Sequence, residues 1–201
     1  MPAPEKRQMR ESTKKYGRRL LSPLVSLLAA IRVSATTVTI LGLPLSIGAG
    51  WSFAAGRFVL GGVFVALVGL CDTLDGELSR RAGTASARGA FLDSTIDRLS
   101  ESLVLVGLYW FYRDSWFGLL AIVALVFSLM VSYVRARAEG VGRECKVGFF
   151  ERPVRVLVML VGAFVLGRTW MPVAIGVIAL GSLITAIQRT IYVLAQRSPA
   201  S

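Results

Sequence analysis

Six long apolar stretches run through the chain between charged segments: Thr37–Ala55, Phe58–Leu78, Ala90–Phe111, Trp116–Val134, Val154–Leu166 and Pro172–Leu194. A bilayer core about 30 Å thick takes roughly 20 mostly apolar residues per helix, so the pattern predicts six transmembrane helices. The fifth stretch is the shortest and is expected to draw on its flanks. Ahead of them, KKYGRRLLSPLVSLLAAIRV sets Leu20, Leu21, Leu24, Leu27 and Leu28 at helical spacing behind a basic cluster. That pattern predicts an amphipathic helix on the inner membrane surface, although basic residues before a first span also set orientation by themselves. Residues Lys6 to Arg19 are too charged for a cleavable signal peptide. The expected organisation is all-α and single-domain over 1–201, with an interfacial helix in 1–35 and a six-helix core in 36–195.

Composition agrees. The 201 residues are 54% hydrophobic and 17% charged, and the mean hydropathy of +0.63 is too high for a soluble domain of this size. A net charge of +11 in so apolar a chain points to anionic lipid and away from nucleic acid. Arg57, Arg113 and Arg168 fall in three short turns expected on one side, and the other 20 of the 23 Lys and Arg toward the opposite side. By the positive-inside rule that opposite side is the cytoplasm. Both termini, and the loops around Arg80–Arg88 and Arg135–Arg155, are then cytosolic faces of the inner (cytoplasmic) membrane. Cys71 and Cys145 form neither a spaced metal pair nor a disulfide framework. The chain has no histidine, so a general base must be a carboxylate, lysine, tyrosine or cysteine.

Four aspartates carry the candidate chemistry. Asp72 and Asp75 share a helix face with roughly 4.5 Å of rise between them, and Asp93 and Asp97, four apart, share a face of the next helix. Ionisable residues at membrane depth are costly and usually mark functional sites. Two such pairs joined by an Arg-rich turn can converge, and their charges repel unless cations sit between them. An oxygen-only ligand set suits Mg2+, Mn2+ or Ca2+ rather than zinc, and two ions about 3.5–4 Å apart can clamp a phosphate. Gly76 and Gly89 remove side chains beside the acids, though either alone is more often a helix-packing residue. A cation transporter is the alternative from another class, but it predicts inverted repeats, and none is visible.

The order Asp72, Asp75, Gly76, Arg80, Gly89, Asp93, Asp97 resembles the signature of the CDP-alcohol phosphotransferases at every spacing, over 26 positions. Ser79 stands where that family has alanine. The resemblance implies transfer of a substituted phosphate from a CDP-linked donor to an alcohol, with release of CMP. It assigns Asp72, Asp75, Asp93 and Asp97 to two metal ions, Mg2+ with Mn2+ as the alternative, and Asp97 also to deprotonating the acceptor. It further implies donor contacts from Gly76, Arg80, Ser86 and Gly89, and commonly a homodimer. A second family element, Thr-Pro-Asn/Asp followed by two residues and Thr, reads here as Thr36, Thr37, Val38, Thr39 without the proline. Those residues are carried over as donor contacts, with local helix capping as the equal alternative.

Downstream, Arg135, Arg137, Arg152 and Arg155 exceed what topology needs, and Arg189 lies inside the last apolar segment, where snorkelling is the plain explanation. Clustered arginines suit bidentate phosphate binding, hence an acceptor that already carries phosphate. Ser132–Glu139, Gly148–Arg155 and Gln188 with Arg189 resemble the acceptor pocket of bacterial phosphatidylinositol phosphate synthases, which commonly have lysine where this chain has Arg135. That likeness implies CDP-diacylglycerol as donor and inositol 1-phosphate as acceptor, with membrane lipids as surroundings. Glycerol 3-phosphate, giving phosphatidylglycerol phosphate, is the alternative within the family.

Overall fold

A computed structural model of the protein describes residues 22–31, 33–84 and 86–196. The basic cluster Lys6–Arg19, with Leu20 and Leu21, lies outside the described residues. Helix α1 covers 22–30, and α2 (Ala35–Ala54), α3 (Phe58–Ala82), α4 (Ala87–Tyr112) and α5 (Trp116–Gly140) follow. Helix α6 (Arg152–Val161) runs into a π turn at Gly162–Leu166, and α7 (Gly167–Ala195) is the last helix among the described residues. Among the described residues there is no strand. All six apolar stretches are helical. Four helical segments are long and apolar enough to cross a bilayer: α2, α3, α5 and the α6–α7 stretch Arg152–Ala195. Helix α4 is 26 residues long, but Arg88, Asp93, Asp97, Arg98 and Glu101 lower its hydropathy.

Local chemistry sets the boundaries that matter. Ser34 caps α2, its hydroxyl accepting the Thr37 N–H at 3.0 Å. Helix α3 ends at Gly83, where a φ of 64° lets the Thr84 N–H reach back to the Ser79 carbonyl, a left-handed turn that favours glycine. Ser86 then caps α4 by accepting the Gly89 N–H at 3.1 Å. At the head of α6, Pro153 occupies the first turn, where its missing N–H costs nothing.

Helix α2 packs on α3 and α4, α5 on α4 and α7, and α6 on α3 and α7. Apolar burial drives association weakly where the surrounding solvent is lipid, so close backbone approach has to contribute. The α2–α4 contact is built that way. A Cβ placed on Gly107 would lie 2.1 Å from the Gly50 carbonyl oxygen, and one on Gly50 would lie 2.5 Å from the Leu103 carbonyl oxygen. Around that contact Phe53, Leu105, Leu108, Met171 and Ile175 form the main core. A smaller core of Val25, Val38, Leu74 and Leu78 seats α1 on α2 and α3.

The turns after α2, α4 and the π segment gather at one end. Phe58 stacks edge-on against Phe111 with centroids 5.0 Å apart, the Tyr112 hydroxyl donates to the Arg168 carbonyl, and the Arg168 guanidinium lies 4.9 Å from the Phe111 ring centre. The four aspartates lie toward the other end. Gly107→Leu is expected to separate α2 from α4 at a cost of about 1–3 kcal/mol, measured as a lower unfolding temperature in detergent. Gly176→Ala, whose Cβ would meet only Leu120 Cδ2 at 3.8 Å, should leave that temperature nearly unchanged.

Candidate active site

The left-handed turn at Gly83 and the Ser86 cap set the end of α3 beside the start of α4, and the acids of the two helices come together. One carboxylate oxygen from each of Asp72, Asp75 and Asp93 lies within 4.8 Å of the others. Asp75 is the most enclosed, at 5% exposure. From α2 the Thr39 hydroxyl approaches its Oδ2 at 2.5 Å and the Ala35 carbonyl at 3.0 Å. Having one proton to give, it directs it to the nearer carboxylate, whose charge makes the stronger bond. Three carboxylates this close, supplied by two helices and aimed at one point, fit a hard divalent cation.

Asp97, one turn beyond Asp93, is engaged differently. Arg152 Nη1, from the head of α6, lies 2.8 Å from Asp97 Oδ1 and 3.0 Å from Asp72 Oδ2. A guanidinium therefore ties the fourth acid to the first. Asp97 still faces the same small space as the other three, together with Cys71 and Ser100.

On one side of the acids opens a cleft of about 610 Å³, walled by α1, the start of α2, the end of α3 and the start of α4. Thr36, Thr39, Asp75, Gly76, Arg80, Ser86, Gly89 and Asp93 line it. Thr37 and Val38 do not. The Thr37 N–H is bonded to Ser34 Oγ and its hydroxyl lies 2.8 Å from the same atom, whereas Val38 is buried in the smaller core. Arg80 pairs with Glu77 at 2.8 Å. Arg81 holds α1 in place as a wall of the cleft, donating to Ser22 Oγ at 2.8 Å and Ser26 Oγ at 3.0 Å.

On the other side lies a cavity of about 170 Å³ whose lining includes Asp97, Ser132, Arg135, Arg152, Arg155 and Arg189. Arg189, 3% exposed, does not snorkel. It donates to the Val147 and Val131 carbonyls, each at 2.8 Å, and to Glu151 Oε1 at 3.0 Å. Arg155 makes a two-pronged pair with Glu101, at 2.5 and 2.8 Å, and donates to the Phe150 carbonyl. Arg135 pairs with Glu139 at 3.0 Å. Arg137 is exposed and lies outside the lining. Glu101 and Glu151 also line this cavity and were not among the residues expected from sequence. A charge inside the apolar stretch Ala90–Phe111 was the available signal for Glu101.

The acids thus stand between two cavities, Asp75 and Asp93 facing the larger and Asp97 the smaller. The family model described as CDP-alcohol phosphatidyltransferase matches residues 24–192. An archaetidylinositol phosphate synthase of Methanothermobacter thermautotrophicus is 38% identical over 180 residues, spanning 88% of this chain and 89% of that protein. A crystal structure of Mycobacterium tuberculosis phosphatidylinositol phosphate synthase with CDP-DAG bound superposes with a TM-score of 0.81 at 31% identity, covering 90% of this chain and all of that one. The same enzyme in complex with manganese and citrate gives 0.80 at 32% identity, over 88% of this chain and 90% of that one. The match across nearly the whole chain, on top of the seven spaced signature residues, places this protein in the CDP-alcohol phosphatidyltransferase family.

Proposed function

We propose that the enzyme transfers the phosphatidyl group of CDP-diacylglycerol to inositol 1-phosphate, yielding phosphatidylinositol phosphate and CMP. The observation that carries this reading is the placement of the acids between a cleft large enough for a nucleotide and a smaller cavity edged by arginines. The archaeal relative and the mycobacterial structures, both named as inositol phosphate lipid synthases, support the acceptor. In this reading α2 to α7 span the cytoplasmic membrane six times, α1 lies at its inner surface, and both termini and the site face the cytosol. The family resemblance adds a homodimer to this reading.

Asp72, Asp75, Asp93 and Asp97 would hold the metal ions, two of Mg2+ or Mn2+. Manganese in the mycobacterial complex supports the ion class. Such ions, when bound, neutralise the diphosphate and stabilise charge on the leaving CMP. The protein's own groups do the rest. Thr39 fixes the Asp75 carboxylate, while Gly76 and Gly89 let the donor approach the backbone closely. Arg80 and Ser86 border the nucleotide cleft, with Thr36 beside them. Arg135, Arg152 and Arg189 face the acceptor phosphate, and Arg155 braces the wall through Glu101. Asp97 takes the proton of the attacking hydroxyl, in a chain that has no histidine to do so.

Purified enzyme offered CDP-diacylglycerol with inositol 1-phosphate, glycerol 3-phosphate, inositol or serine in turn should release CMP strongly with the first. Strong release with glycerol 3-phosphate alone overturns the acceptor assignment. Asp97→Asn should lower turnover by about 100-fold or more while CDP-diacylglycerol still binds, and near-normal acceptor-dependent CMP release would remove Asp97 as the base. Thr39→Val should weaken Mn2+ binding about tenfold or more, read by titration of the protein with the metal alone, with Thr39→Ser restoring most of it.

A further inference from the structure

Arg98, Arg135, Arg152, Arg155 and Arg189 line the smaller cavity, and two of them are fully committed. Every nitrogen of the Arg155 and Arg189 guanidinium groups donates to a carbonyl or carboxylate. Arg152 is held differently. Its ion pairs with Asp97 and Asp72 both run through Nη1, and its buried Nε has no partner among the described residues. A guanidinium carries five N–H donors in a fixed fork, and a buried donor without a partner costs about 1–3 kcal/mol. The side chain is 19% exposed and lies on the wall that the acceptor phosphate would meet.

From this geometry we infer that Arg152 is a positioning residue that withholds the base Asp97 until a phosphate enters the smaller cavity. The inference rests on the proposed use of a phosphorylated acceptor. With the cavity free of anion, the guanidinium sits on Asp97 and competes with any water for its carboxylate. A phosphate dianion offers Arg152 a bidentate partner, a stronger and better satisfied pairing than one nitrogen shared between two acids. As Arg152 turns to it, Asp97 is released. The carboxylate then accepts the proton of the acceptor hydroxyl, that oxygen bonds to the lipid-bearing phosphorus, and the bond from this phosphorus to the bridging oxygen breaks, CMP leaving with the electron pair. If water took the hydroxyl's place, the products would be CMP and phosphatidate. Coupling base release to acceptor arrival therefore protects the donor from hydrolysis.

The test follows CMP and lipid products from CDP-diacylglycerol labelled in its lipid. Wild type should release little CMP without acceptor. Arg152→Gln should make phosphatidate without acceptor at least several-fold faster than wild type, and Arg152→Lys should restore much of the suppression. In the unaltered enzyme, inorganic phosphate alone should stimulate phosphatidate formation, since it draws Arg152 away yet brings no hydroxyl. Calorimetric binding of inorganic phosphate should weaken about tenfold in Arg152→Gln, as expected for losing one charged contact. The inference is overturned if inorganic phosphate fails to stimulate hydrolysis in wild type, or if a folded, donor-binding Arg152→Gln protein loses transfer and gains no hydrolysis. Failure of inositol 1-phosphate as acceptor would instead show as absent transfer product in wild type, with the response to inorganic phosphate intact.

Discussion

Four carboxylates gathered at one end of an apolar bundle repel one another, and the surrounding structure answers that repulsion. Helices α3 and α4 aim Asp72, Asp75 and Asp93 at a common point. Thr39 supplies Asp75 with a hydroxyl proton, and Arg152 supplies Asp97 and Asp72 with positive charge. In a low-dielectric setting an uncompensated carboxylate is expensive, so these contacts tie α2 and α6 to the same cluster. The tight Gly50–Gly107 crossing serves the same end from within the bundle, because it fixes how far α2 stands from α4 and hence where Thr39 meets the acids.

The second cavity shows how an excess of arginine is kept in order. Glu101, Glu139 and Glu151 each engage one arginine around it. Such pairing leaves the cavity less positive than a count of its arginines implies. It also holds the guanidinium groups in defined directions, which favours an anion of one shape over small anions in general. Arg155 is the extreme case, its fork closed on Glu101, so its part is to shape the wall.

The sequence made the acid cluster legible because its information is local: spacings of three and four residues on two consecutive helices place side chains on shared faces whatever the remaining fold does. The six apolar stretches were legible for the same reason, each carrying its own length and hydropathy. What sequence could not supply was direction across the bundle. Thr37 and Thr39 are equivalent in composition, yet one is taken up by the Ser34 cap at the start of α2 and the other reaches Asp75, a choice made by how α2 lies on α3. Arg135 and Arg137, two apart on one helix, point in different directions, and only the first reaches the cavity. The pairings of Arg155 with Glu101 and of Arg152 with Asp97 join α6 to α4 over more than 50 positions. No periodicity within a segment could have revealed them.

The shortness of α6 has a further effect. From Arg152 to Leu166 the segment rises roughly 22 Å, less than the ~30 Å of a hydrocarbon core. In the proposed six-span topology the arginines at its head would therefore lie at the bottom of a well sunk below the level of the lipid headgroups. Mobile ions screen charges at the mouth of such a well far more than at its floor. Ionic strength should then slow the capture of an anion while leaving its residence, once seated, largely untouched.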